Sequence, residues 1–458
     1  MRGLRRTVTA ATLPAGTERP TAALLILASV FTAALSAPPS AGAQDYQVFG
    51  DVEGVGIYHY LEDASAEHRL TGVARLRADH RLFFERAELV ADTELELRSP
   101  GAADPPAAAL APAPSGSGSG AGGAGAAAGE TTGELDYYID EAYLSLFPLS
   151  PVSVSAGKQR ANWGSGYSFS PTDSLHPRSA SGRDEGFRGL SATWTATPDF
   201  TLSAHISADD ALDDPDAAAQ AGLRYAAYAS VFLGNAELYL SGVYGYDATA
   251  RPGIGGAVSF LGVVVAAEAA VELSSPVVYP TGSGADAGFG AEPVGTPAPL
   301  ALAAVEYNTG TDTLDVLSTT EYRYAGTGYT RSEAQELYDA LAAARTGTGS
   351  AGALSRAEAL GKIEEEEIPS FLGRHYVAQT LTFGIAGYVE LESGIVLNAA
   401  DLSYESEHTV RVTALSGVDF FATGRFYGGA ADTEFGAFPD GAAVPGRLQI
   451  ELGSVVHF

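Results

Sequence analysis

Between Leu70 and Arg98 the chain changes polarity at almost every residue. In LTGVARLRADHRL, Leu70, Ala74, Leu76, Ala78 and Leu82 occupy one parity, and Arg75, Arg77, Asp79 and Arg81 the other. In AELVADTELELR, Ala87, Leu89, Ala91, Leu95 and Leu97 alternate with Glu88, Asp92, Glu94, Glu96 and Arg98. A period of two places each set on its own face of a β-strand, whereas a helix would scatter both sets around its axis. A hairpin turning at Phe84-Glu85 sets Arg81 opposite Glu88, Arg77 opposite Asp92 and Arg75 opposite Glu94, so that facing charges attract. One face suits lipid and the other is an ion-pair ladder.

The pattern continues to the C-terminus. In FTLSAHISA, Phe200, Leu202, Ala204 and Ile206 alternate with Thr201, Ser203 and His205; TLDVLSTTEYRY, HTVRVTAL and VDFFATGRFY repeat the scheme around Glu321, Arg323, Arg411 and Arg425. Tight turns fall at 149–151, 197–199, Gly234-Asn235, Leu261-Gly262 and 416–419, and longer Gly-, Pro- and Asp-rich loops separate the strand pairs. Short turns at one end and long loops at the other are the grammar of an outer-membrane barrel. The fold class expected is an all-β, transmembrane, antiparallel up-and-down barrel of about 18 strands, 16–18 being the range the segments allow, because residues 374–408 divide ambiguously. A soluble β-sandwich or β-helix would need heavier Leu, Ile and Phe faces than these, which are rich in Ala, Val and Tyr. Tyr244, Tyr246, Tyr322, Tyr324 and Tyr427 fall near strand ends, where an aromatic girdle belongs.

The first residues point to export. A basic start (Arg2, Arg5, Arg6), the apolar run Ala22 to Leu35 and Ala41-Gly42-Ala43 read as a signal peptide over 1–43, cleaved after Ala43. That leaves 44–458 as the barrel. Removing 1–43, with four arginines and one glutamate, takes the formal charge from −30 to −33. Such a charge argues against nucleic acid as a partner. There are no cysteines, which excludes disulfides and thiolate chemistry. Residues 99–133 are a low-complexity external loop expected to be disordered. Residues 326–373 form an external loop with a helical insertion, SEAQELYDALAAAR and SRAEALGKIEEEE, each opening on a capping-box pattern: Ser332 to Gln335 and Ser355 to Glu358. The last strand pairs Leu448, Ile450, Leu452, Val456 and Phe458 on one parity. Its terminal Phe458 resembles the signal read by the barrel assembly machinery.

The densest stretch is GKQRANWGSGYSFSPTDSLHP, residues 157–177. Val152, Val154, Lys158 and Arg160 share a parity, so a β-bulge near Gly157 is expected to turn Lys158 and Arg160 into the lumen. Gln159, Arg160 and Asn162 can anchor the following loop. That loop is either folded onto the wall or a constriction that touches solute. GKQRANWGSGYSFSPTD resembles the G-[RK]-Q-x-x-x-W-G-x-G…P-T-D pattern of a group of large porin-like outer-membrane barrels, with alginate-export-type proteins comparable in design. The match spans about twenty residues, with Lys158, Gln159, Trp163, Gly164, Pro171, Thr172 and Asp173 as motif positions. It implies passage of a solute and assigns no substrate.

No G-x-S-x-G elbow, Walker loop, H-E-x-x-H or EF-hand spacing is present, so no catalytic residue, metal ligand or cofactor is assigned and no enzyme is expected. The reading is an outer-membrane channel for small polar or charged solutes. Its lumen is expected to be lined by Arg75, Arg77, Arg81, Asp92, Glu94, Glu96, Lys158, Arg160, Glu268, Glu272, Glu321, Arg323, Arg411 and Arg425. Alternatives are an adhesin or scaffold acting through its loops, and a polymer-export barrel.

Overall fold

The computed structural model describes residues 45–457, apart from 61–67, 99–133, 162, 167–168, 173–185, 209–222, 246–249, 275–276, 278, 282–287, 290–296, 312, 347–370, 416, 431–432 and 438–447. The signal peptide, Asp173, Tyr246, the 99–133 loop, the second expected helix and Phe458 therefore lie outside the described residues.

Alternation does build strands. They are β1 (Asp45–Tyr60), β2 (His68–Phe84), β3 (Ala87–Arg98), β4 (Glu134–Leu149), β5 (Val152–Gln159), β6 (Phe187–Thr197), β7 (Phe200–Ser207), β8 (Arg224–Leu233), β9 (Ala236–Gly245), β10 (Ala250–Phe260) and β11 (Val263–Glu272). After the two-residue pair β12 (Pro280–Thr281) and β13 (Gly288–Phe289) come β14 (Ala298–Gly310), β15 (Leu314–Ala325), β16 (His375–Ile385), β17 (Val389–Asn398), β18 (Tyr404–Leu415), β19 (Val418–Gly428) and β20 (Leu448–His457). All but β12 and β13 join one 18-stranded antiparallel sheet. It closes where β1 pairs with β20, from Asp51↔His457 to Tyr60↔Leu448.

Neighbouring strands meet through two- or three-residue turns at one end, at Glu85-Arg86, Gly234-Asn235, Leu261-Gly262 and 386–388 among others. At the other end the connections are longer: 160–186 joins β5 to β6 and 326–374 joins β15 to β16. The turns expected at 197–199, Gly234-Asn235 and Leu261-Gly262 fall at those positions, and 374–408 resolves into β16, β17 and a short connection at 399–403. Helix α1 (Arg331–Thr346) lies in the loop after β15, and the four-residue α2 (Glu434–Ala437) in the loop after β19. The cap of α1 sits two residues earlier than expected: Thr330 N donates to Glu333 Oε2 at 2.6 Å, and Glu333 N donates back to Thr330 Oγ1 at 3.4 Å.

Two corrections concern register. The hairpin β2–β3 turns at Glu85-Arg86, so Arg75 faces Glu96, Arg77 faces Glu94 and Arg81 faces Val90. Asp92 faces Asp79 and Glu141. This is a slip of two from the expected pairing, the smallest shift that leaves every side chain on its own face. The second correction is the bulge, which sits in β4 around Asp140, where Asp92↔Glu141 is followed by Thr93↔Ile139. Through Gly157 the pairing is unbroken, with Ala156↔Leu144 and Lys158↔Ala142. Lys158 thus shares the outer row with Leu144 and Leu190 and does not point into the lumen. It lies one residue from the long-loop end of β5, where an outward cation costs only about 0–1 kcal/mol and can snorkel to the interface. Arg160 follows the strand, its backbone N–H donating to Glu141 Oε1 at 3.1 Å.

The outer rows are apolar and exposed: Leu190, Leu202, Ile206, Leu238, Leu240, Ile254, Val305 and Leu452 among them. A contiguous apolar surface of this extent suits hydrocarbon and not water. Tyr225, Tyr244, Tyr322 and Tyr404 ring the long-loop end, and Trp194, Phe232, Phe260 and Phe420 the short-turn end. Tyr427 does not join them; it is buried on the inner side with Phe169 and Tyr376. Among the described residues no helix is long and apolar enough to cross a membrane. Leu240→Arg, at the middle of β9, should destabilise the barrel in lipid vesicles by about 2–4 kcal/mol in denaturant unfolding.

Candidate functional site

The inner face can be followed strand by strand through register partners. Glu88, Ser145, Ser155, Ser191, His205 and Ala226 face one another in turn from β3 to β8. Leu302, Glu268, Gly255 and Tyr239 do the same from β14 back to β9. Several of these inner positions are buried, Ser145, Ser191, His205, Tyr239, Glu268 and Leu302 among them. Inner residues of so wide a barrel are buried only where something fills the space beside them.

On this side the filler is the loop after β5. Gln159 ends the strand on the inner row, with Ser191 Oγ donating to its Oε1 at 2.5 Å and its Nε2 donating to Gly189 O at 3.4 Å. Trp163 then turns inward, stacked on Tyr228 with centroids 5.4 Å apart and edge-on to His205 at 5.0 Å. Gly164 adopts φ +94°, a left-handed conformation that glycine enters without strain, and a side chain there would strike Glu268 and Thr172.

The loop tip wraps around the carboxylate of Glu268, which sits mid-strand in β11 and is 3% exposed. Oε1 accepts Ser165 N at 2.5 Å, Ser165 Oγ at 3.2 Å and Gly166 N at 3.1 Å. Oε2 accepts Ser170 Oγ at 3.1 Å, Thr172 N at 3.2 Å and Thr172 Oγ1 at 2.9 Å. Burying a carboxylate is costly without such partners, and charge-assisted bonds are the strong ones. Tyr239 OH lies 3.0 Å from Ser165 Oγ. Beyond the clamp, Phe169 packs against Leu302 and Tyr376. The Arg323 guanidinium lies 5.1 Å from the Phe169 ring centroid, 5.3 Å from Phe371 and 5.8 Å from Tyr376. The loop thus lines the wall from β7 to β16.

Gln159, Trp163, Gly164, Pro171 and Thr172 come together here, with Pro171 and Thr172 buried in the turn. Glu268 and Arg323, expected to line the channel, instead hold the loop. Glu321 is 1% exposed on the same wall, and Glu272 lies 3.5 Å from Arg251. Ser165, Ser170 and Tyr239 were not read from the sequence; the only trace was small hydroxylated residues among the glycines of GSGYSFSPT. Replacing Glu268 by Ala should speed amide hydrogen exchange at Ser165, Gly166 and Thr172 by at least about tenfold, given roughly 1.5–3 kcal/mol per bond to a charged group.

The rest of the wall is different. From β17 through the β20–β1 seam to β4 the inner rows are charged. Arg75 Nε is 2.9 Å from Glu96 and its Nη1 3.2 Å from Glu53; Arg77 Nε is 2.8 Å from Glu94; Arg81 Nη2 is 2.9 Å from Asp79. Across the seam Arg425 Nη2 is 2.6 Å from Glu407, and Arg411 faces Glu390. Arg77 is 47% and Glu407 43% exposed in their side chains, so this arc is open to water.

At the long-loop end α2 is tied to the rim. Glu434 Oε1 accepts Leu372 N at 2.9 Å, and Oε2 accepts Tyr376 OH at 2.6 Å and Asn398 Nδ2 at 2.7 Å. Glu434 N donates to Asp401 Oδ2 at 2.8 Å, and Phe435 N to Ser403 Oγ at 3.2 Å. Burial pushes the Glu434 carboxyl up to about 7. An acid raised above its unfolded value favours the folded state most when protonated. Its contribution should be full below about 4.5 and lost as pH rises through 7, a change of about 3 kcal/mol. Hydrogen-exchange protection factors around 433–435, with the intrinsic base catalysis divided out, should therefore fall between pH 5 and pH 8, and Glu434→Gln should flatten that dependence.

No family model matches the chain, and no curated protein does. Among solved structures it is similar to OccAB1 of Acinetobacter baumannii, with a TM-score of 0.50, 10% identity, and coverage of 92% of this chain and 98% of that one. It also matches OccK5 (OpdH) of Pseudomonas aeruginosa, at 0.49 and 8% identity, over 92% and 100% of the two chains. A mutant of the Rh. blastica porin follows at 0.40 and 12% identity, over 90% and 100%. The likeness to OccAB1 shows a shared fold, a closed 18-stranded barrel.

Proposed function

We propose that this barrel is a water-filled channel in the outer membrane of a diderm bacterium, passing small polar solutes, with the loop after β5 as its constriction. The observation that carries this reading is the Glu268 clamp. A buried anion in the middle of a wall strand has no use in a barrel whose business is at its surface, but it is the anchor needed to hold a loop at depth. The loop fills the side from β7 to β16, and solute is left the charged arc opposite. Such polar, inward positions are the ones that set selectivity. The motif stretch then has a physical role: Gln159 orients the loop, Trp163 seats it, Gly164 turns it and Thr172 closes the clamp. Lipid is the barrel's surrounding partner, and the assembly machinery would receive its final strand.

Planar-bilayer recording tests the reading. Wild-type protein should give discrete conductance steps, and Glu268→Gln, which loosens the loop, should raise the unit conductance about twofold. Heat-modifiable, sheet-rich protein that never conducts would overturn it.

A further inference from the structure

The two halves of the lumen differ in charge, not only in cover. On the loop-covered side the acidic groups are engaged: Glu268 by six donors, Glu272 by Arg251. A passing solute meets the other side, where carboxylates outnumber arginines among the described inner positions. Arg75, Arg77 and Arg81 on β2 each already have a carboxylate against them, and Arg75 has three, Glu53, Glu94 and Glu96.

The residue left over is an arrangement that folding alone disfavours. Asp79 faces Asp92 and Asp92 faces Glu141, so three neighbouring strands present carboxylates at one level of the wall. Like charges directly opposite destabilise a sheet pair. Arg81 on Asp79 and the field of Arg160 on Asp92 offset only part of this. Further round, Glu390 and Glu392 add charge beside Arg411. A water-filled passage with low-dielectric walls focuses such a field, concentrating cations and repelling anions.

We propose that the channel selects small cationic solutes over anions, and that Asp79, Asp92 and Glu141 are the main determinants of that preference. This rests on the channel reading above, which the experiment can lose separately. Full-length protein would be placed in planar bilayers under a tenfold KCl gradient, and the reversal potential measured. The potassium-to-chloride permeability ratio should exceed about 3 at 0.1 M salt and fall towards 1 at 1 M, where the screening length shrinks from about 10 Å to about 3 Å. Asp79→Asn/Asp92→Asn/Glu141→Gln should lower the ratio at 0.1 M at least twofold while conductance steps persist, and Glu336→Gln on the external helix should leave it unchanged. A wild-type ratio at or below 1, with clear conductance steps, would overturn the cation preference and leave the channel standing. An unaltered ratio in the triple variant would remove these residues as its source. Absence of steps from folded protein would overturn the channel itself.

Discussion

A backbone N–H or C=O left without a partner in hydrocarbon costs several kcal/mol, and a sheet with edges has a whole row of them. The pairing of β1 with β20 removes both edges at once. Everything else in the protein presumes that seam. Once the sheet is closed, the alternation of side chains acquires an inside and an outside, and the hydrophobic and charged rows can each face the solvent they suit.

Closure also creates a problem of its own, since an 18-stranded ring encloses more space than wall side chains can fill. The chain fills part of it with its own loop. Holding a loop at depth demands polar anchors, and a buried carboxylate with six donors is a costly group made into a strong one by complete satisfaction. Trp163 and Phe169 flank that anchor with apolar packing on opposite sides. The result is a lumen with two unlike halves, one packed and apolar to neutral, the other wet and acidic.

Much of this was legible beforehand, and the misses share a cause. Parity read Glu94, Glu96, Arg75 and Arg77 onto one face, because faces depend only on odd and even. It paired Arg77 with Asp92 because a slip of two keeps every face and still sets arginine against acid; only the position of the turn at Glu85-Arg86 separates the two registers. Lys158 was turned inward by a bulge that the chain places in β4 instead, at Asp140, where no glycine marks it. Tyr427 looks like a girdle residue by its place near a strand end, yet its parity puts it inside, under Phe169. The cap of α1 was sought at a serine and lies at the threonine before it.

The sequence by itself determined that this is a barrel, roughly how many strands it has, and which side chains share a face within an unbroken strand, because a two-residue period is a local property and lipid and water read it strand by strand. What tertiary structure decided is which of the wet residues solute can reach. Glu268 and Glu53 are alike in the linear chain: both are acids on an inward row. One is enclosed by a loop that starts more than a hundred residues earlier, and the other stands beside an arginine on the open arc. That difference comes from contacts across the lumen, between segments far apart in sequence, and no local pattern records them.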